Sequence, residues 1–137
     1  MEIRHVLFET SRFNLSKVGE HFINPCCFGE DFAQWLANRL AQHGVTVRAP
    51  YQEDWGWQFS AEDANGRYYV GVGGNSLEDP TNPDMGEWRV MLSKRRTIME
   101  KLKGKNKLAE SEPILILIRE ILQAELDFSN IHVETEL

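Results

Sequence analysis

Apolar and polar residues alternate along three stretches of the middle of the chain. Trp55, Trp57, Phe59 and Ala61 take every second position, then Tyr68, Val70 and Val72, then Trp88, Val90 and Leu92. Successive side chains of a strand point to opposite faces, so each stretch predicts a half-buried β-strand. Asn65-Gly66 separates the first two and predicts a hairpin with a type I′ turn. Val45, Val47, Ala49 and Tyr51 predict an earlier strand with those four side chains on one face, which Pro50 places at a sheet edge or takes out of the sheet. Residues 45–93 then form a three- or four-stranded antiparallel meander. Gly71, Gly73 and Gly74 leave one face of the return strand nearly bare, open to close approach by an aromatic ring or a ligand.

Elsewhere the spacing is helical. Phe32, Trp35, Leu36, Arg39 and Leu40 recur at three- and four-residue intervals after Glu30-Asp31, and Gly44 stands where a left-handed cap belongs. A helix over 30–43 follows. Ser111-Glu112-Pro113 predicts a second helix start, with Ser111 as cap and Pro113 in the first turn, and Ile114, Leu117, Ile118, Ile121 and Leu122 supply its apolar face. A third helix is predicted within 94–103, ending at Gly104, with Ile98, Met99 and Leu102 turned inward. Residues 1–9 predict a first strand and a wandering connection, and Ile131–Val133 a closing edge strand. The expected fold is α+β: an antiparallel meander packed on two main helices as a two-layer sandwich, one domain over 1–137.

The chain has 137 residues, 42% of them hydrophobic, enough for a core without metal or disulfide staples. No segment reads as a signal peptide, and the longest apolar run, Ile114 to Ile118, falls far short of the roughly 20 residues that span a bilayer. Neither a membrane partner nor a cofactor is expected. The formal net charge is -6 and the pI about 5.2, which disfavours general nucleic-acid binding and suits a cytoplasmic protein with a basic partner. Charge is segregated, however. Lys94, Arg95, Arg96, Lys101, Lys103, Lys105 and Lys107 share their stretch with a single acid, Glu100. A solvated helix face is the simplest account of that run, which lacks the interleaved aromatics of single-strand binders.

The densest candidate chemistry is Glu53-Asp54-Trp55-Gly56-Trp57, two carboxylates running into two tryptophans at a strand boundary. Paired carboxylates can act as acid and base or hold a cation, yet neighbours on a strand face opposite ways, so a charged turn beside an aromatic strand accounts for them better than catalysis. Trp55, nearest the loop, is the tryptophan expected to be exposed. Cys26 and Cys27 precede a helix whose dipole could activate a thiol, but Glu30 and Asp31 oppose that, and packing as buried thiols is the simpler role. Adjacent cysteines also suit a reducing compartment. His5, His21, His43 and His132 show no spacing that links them to the cysteines, and no zinc ligand set can be assembled.

Cys27-Phe28-Gly29-Glu30-Asp31-Phe32-Ala33 with Trp35-Leu36, then Glu53 to Trp57 and Gly86-Glu87-Trp88, resemble motifs of a group of short bacterial proteins with no assigned activity. The resemblance covers roughly 22–125. It implies a compact cytoplasmic bacterial domain and carries over no catalytic residue. The function expected first is non-enzymatic binding of a basic protein partner, in the manner of small acidic immunity or antitoxin proteins, through Glu53, Asp54, Trp55, Glu78, Asp79, Asp84 and Glu87. The alternative is a small hydrolase or metal-assisted enzyme using Glu53 and Asp54 with His21 or Cys27. Self-association through the charge asymmetry is a third reading.

Overall fold

The computed structural model describes residues 3–24 and 27–136, so Cys26 lies outside the described residues. The fold is α+β, as the periodicities predict. Seven antiparallel strands make one sheet: β1 (Ile3–Thr10), β2 (Thr46–Val47), β3 (Tyr51–Glu53), β4 (Gly56–Asp63), β5 (Gly66–Ser76), β6 (Gly86–Lys94) and β7 (Ser129–Glu136). Helices α1 (Glu30–Gln42) and α3 (Pro113–Gln123) cover one face, and α2 (Ile98–Leu102) is a single short turn. The order is β2-β4-β5-β6-β1-β7, with β3 also paired to β4. The meander is therefore extended by the N-terminal strand, which lies between β6 and β7.

The alternation becomes cross-strand layers. Trp57 pairs with Val72, Phe59 with Val70 and Ala61 with Tyr68; Val72 and Val70 continue to Val90 and Leu92, and Trp88 to Phe8. All of these side chains are buried on the helical face. Phe32, Leu36 and Leu40 of α1 and Ile114, Ile118 and Leu122 of α3 close the layer above them. Helix α1 ends as predicted. Gly44 takes φ 85°, its N–H donates to Ala41 O at 3.1 Å, and Val45 N–H reaches Leu40 O at 3.1 Å. Those two bonds, with Val45 and Leu40 both buried, form a Schellman cap.

Four local expectations are corrected. The strand over 45–51 is broken at Pro50: Val47 pairs with Ala61 on the core face, whereas Tyr51 pairs with Gln58 on the outer face. The two segments thus present opposite faces, and Ala49 and Tyr51 are exposed. The hairpin turn is Ala64-Asn65, because Asp63 pairs with Gly66; neither turn residue has positive φ, and Asp63 Oδ1 holds the turn by accepting from the Asn65 and Gly66 N–H groups. Helix α3 is capped at Glu112 rather than Ser111, with Pro113 in its first turn, since the Glu112 side chain is drawn into the core by other partners. Finally, Ile98, Met99 and Leu102 face solvent. Leu108, further along, fills the core position instead, and the five-residue α2 has no apolar surface to lie on.

Candidate functional site

The Glu53 to Trp57 motif is a tight hairpin corner. Glu53 pairs with Gly56, leaving Asp54-Trp55 as the turn. Continued alternation would send Trp55 into the core beside Trp57, but the turn reverses it onto the outer face. There its indole lies over Gly71: a Cβ on that glycine would stand 2.4 Å from Trp55 Cη2 and 3.4 Å from Met91 Cε. Gly71 and Gly73 thus form the bare strip expected of them. Gly74 belongs to the other face, where its missing side chain admits the Trp88 ring. Trp55 remains 46% exposed, while Trp57 and Trp88 are buried and Trp35 is half-buried.

The corner is fixed from behind by the segment before α1. Gln52, on the core side of β3, donates to Asn24 O at 2.8 Å and Cys27 O at 3.2 Å and accepts from the Asn24 N–H at 3.0 Å. Trp57 Nε1–H also donates to Cys27 O, at 3.1 Å. From the other side, Cys27 Sγ–H donates to Asp54 O at 3.1 Å and Asn24 Nδ2 to Asp54 Oδ1 at 3.3 Å. The two motifs joined here are about thirty residues apart in sequence, and a planar amide at position 52 makes the junction.

These elements enclose a shallow depression of about 330 Å³ on the outer face, lined by Cys27, Phe28, Trp55, Gly73, Gly74, Asn75, Glu87, Arg89 and Met91. Trp55, Phe28 and Met91 supply apolar surface, and Glu87 and Arg89, two apart on β6, supply opposite charges. Of the seven residues predicted to bind a partner, Trp55 and Glu87 line the depression and Asp54 is tied to its wall. Glu53 is half-buried on β3. Glu78, Asp79 and Asp84 lie at the same end of the sheet, on the 77–85 loop, outside the depression. Asp79 is engaged locally: the Thr81 hydroxyl, at 2.7 Å, and the Thr81 N–H hold its carboxyl below the usual carboxylate range. The chain has no match among protein-family models, curated proteins or solved structures.

The groups of the enzymatic alternative share this end of the molecule without assembling a reacting pair. His21 Nε2 lies 2.6 Å from Glu30 Oε2, with its ring against Phe22 and Trp57, and Cys27 meets Asp54 through that residue's carbonyl. Among the described residues no group of three or more His, Cys, Asp and Glu side chains is placed to hold a metal ion. Sequence reasoning missed Gln52, Arg89 and Met91. Gln52 stands next to the acidic pair and has no periodic signal of its own. Arg89 and Met91 could have been placed from strand alternation, which puts both opposite the buried Trp88 and Val90.

The contact between Trp55 and Gly71 predicts a separation of structure from site. Gly71→Ala should change stability by less than about 1 kcal/mol, because the clash falls on the tip of a half-exposed side chain that can swing away. Acrylamide quenching, with Trp55→Phe as reference, should then show a more accessible Trp55. Unchanged quenching would mean that the indole does not lie on the strip.

Proposed function

We propose that the protein is a non-enzymatic binding protein that takes a basic segment of a partner at the acidic end of its sheet, in the manner of an immunity or antitoxin-like inhibitor of a bacterial cytoplasm. The observation that carries this reading is Trp55, spread over a glycine strip with nearly half its surface in water and flanked by Glu87 and the Asp54 corner. An indole already seated against the strip has less ordering left to lose on contact, and tryptophan is prominent among the residues that dominate interface energies. A partner's lysine or arginine stem can lie across the ring, a cation–π arrangement, with its head toward Glu87 or Asp54. Glu53, Glu78, Asp79 and Asp84 add to the field that steers the encounter.

The hydrolase alternative has less to rest on, since Asp54 Oδ1 is held by Asn24 and the two carboxylates occupy successive positions of a tight corner. The test is capture of a partner from lysate at low salt, followed by affinity measurement against the isolated partner. Trp55→Ala should weaken binding by about thirtyfold, roughly 2 kcal/mol. Glu53→Lys/Asp54→Lys should abolish capture and remove most of the salt dependence. Capture of a basic partner by the charge-reversed variant as strongly as by the wild type, at every salt concentration, would defeat the proposal.

A further inference from the structure

The opposite end of the molecule carries a second surface. The three exposed side chains of α2, Ile98, Met99 and Leu102, are 77%, 57% and 77% accessible and lie on one side of a single helical turn. This turn is pinned. Thr97 and Glu100 form a capping box, with bonds of 3.1 and 2.9 Å, Arg96 binds the Glu100 and Lys105 carbonyls, and Gly104 closes the turn at φ 64°. The only acid of the run is thereby spent on the cap, its carboxyl held below the usual range first by the Thr97 N–H. What projects is a fixed apolar knob, and Lys101, Lys103, Lys105 and Lys107, within and just after α2, are all exposed.

Beside the knob is a separate depression of about 430 Å³ with Tyr69, Ser93, Arg95, Lys101 and Leu108 among its lining residues. Of its cations, Lys94 is consumed by Glu112 and Arg96 by backbone carbonyls. Arg95, 5.7 Å over the Tyr69 ring, and Lys101 make no ion pair among the described residues. Together with Ser93 they line one depression and are donors of the kind that suit a phosphate monoanion or diester.

We infer that this end is a peripheral docking surface for membranes containing anionic phospholipid: the knob enters the headgroup–acyl boundary while Arg95 and Lys101 take a lipid phosphate. The expectation of no membrane partner came from the lack of a spanning segment, and among the described residues no helix is long and apolar enough to cross a membrane. Lying on a membrane needs only exposed apolar side chains beside cations. A soluble polyanion would satisfy the cations and leave the knob in water. An acidic protein would have to supply a cavity for a convex surface. The anionic bilayer boundary accommodates both features without shape matching. The net negative charge does not forbid it, because the eleven residues of β5 set the acidic 77–85 loop roughly 30 Å from this end, well beyond the Debye length of about 8 Å at physiological salt, and Glu62, which lies at this end, is paired with Arg67. Docking by this end would leave the acidic 77–85 loop facing away from the membrane.

The test is co-sedimentation of the full chain with vesicles of phosphatidylcholine alone or mixed with phosphatidylglycerol. Binding to the anionic vesicles only is expected, weakening as salt is raised. Arg95→Ala/Lys101→Ala should reduce it by about thirtyfold, and Ile98→Asn/Leu102→Asn should abolish it while leaving the thermal midpoint unchanged, since both residues are exposed. Soluble glycerophosphoglycerol should compete only weakly. Absence of vesicle binding, equal binding to neutral vesicles, or full binding by the asparagine variant would overturn the inference. So would retention on heparin or single-stranded RNA without vesicle binding, which would assign the cations to a soluble polyanion.

Discussion

Glu112→Ala should destabilise the protein by about 3–5 kcal/mol, the usual cost of breaking a buried ion pair from one side. Glu112 sits at the start of α3 and receives the Tyr68 hydroxyl at 2.5 Å and Lys94 Nζ at 3.1 and 3.3 Å. The Glu112 and Lys94 side chains are 8% and 4% accessible, and Tyr68 is wholly buried. Truncation leaves an ammonium and a phenol in the core with no acceptor, and it is this uncompensated burial that makes the cost large. Denaturant unfolding measures it directly. The double substitution Lys94→Met/Glu112→Leu should recover most of the loss, because it removes both charges at once. A loss below about 1 kcal/mol for Glu112→Ala would show that the charges are better hydrated than this geometry implies.

The same network sets the pH limits. Burial pushes the Glu112 carboxyl up, but the Tyr68 hydroxyl and Lys94 outweigh it and hold the group below its ordinary value. A carboxyl depressed in the folded state stabilises above its unfolded value, near pH 4.3, and that stability is lost as pH falls through the folded value. Tyr68 is pushed far up by burial first and by Glu112 second. Its contribution is complete below the unfolded value near pH 10 and is lost as pH rises beyond it. Stability from these groups is therefore flat between roughly pH 5 and 10. Glu112→Gln should flatten the acid limb of the unfolding curve; an unaltered limb would assign it to other carboxyls.

Gly56→Ala should cost about 3 kcal/mol, the upper end for overpacking, and lower the melting midpoint by about 10 °C. A Cβ there would stand 2.2 Å from the Val72 carbonyl oxygen. The added Cβ is fixed directly to paired backbone and the Val72 oxygen is itself backbone, so neither can rotate away, in contrast to the Trp55 ring tip above Gly71. The strand pair would have to separate at the corner that holds Asp54 and Trp55, and partner capture should fail with it. A variant melting within about 2 °C of the wild type would mean that β4 and β5 do not approach this closely.

The sites differ in how much of them was legible. The gathering of acidic residues at one end followed from strand order, since the Glu53 corner, the 77–85 loop and Glu87 all adjoin the same ends of β4, β5 and β6. The exposure of Trp55 followed from its place beside the loop, but the face of the sheet it covers did not, because a turn residue has no periodicity to fix its face. The apolar spacing of Ile98, Met99 and Leu102 is what a core-facing helix would show, yet spacing alone cannot say whether a partner layer lies beneath it.

By itself the sequence determined what neighbours along the chain decide: the alternation at 57–61, 68–72 and 88–92, the Gly44 cap of α1, Pro113 in the first turn of α3, and the edge break at Pro50. Side-chain period and backbone dihedral preference are local properties, readable within a few residues. Only the tertiary structure decided that β1 lies between β6 and β7, that Gln52 ties Asn24 and Cys27 to the Trp55 corner, that Glu112 turns inward to Lys94 and Tyr68, and that α2 stands on the surface. Each joins residues distant in sequence through contacts whose energy depends on what packs opposite, and no local pattern encodes the identity of that partner.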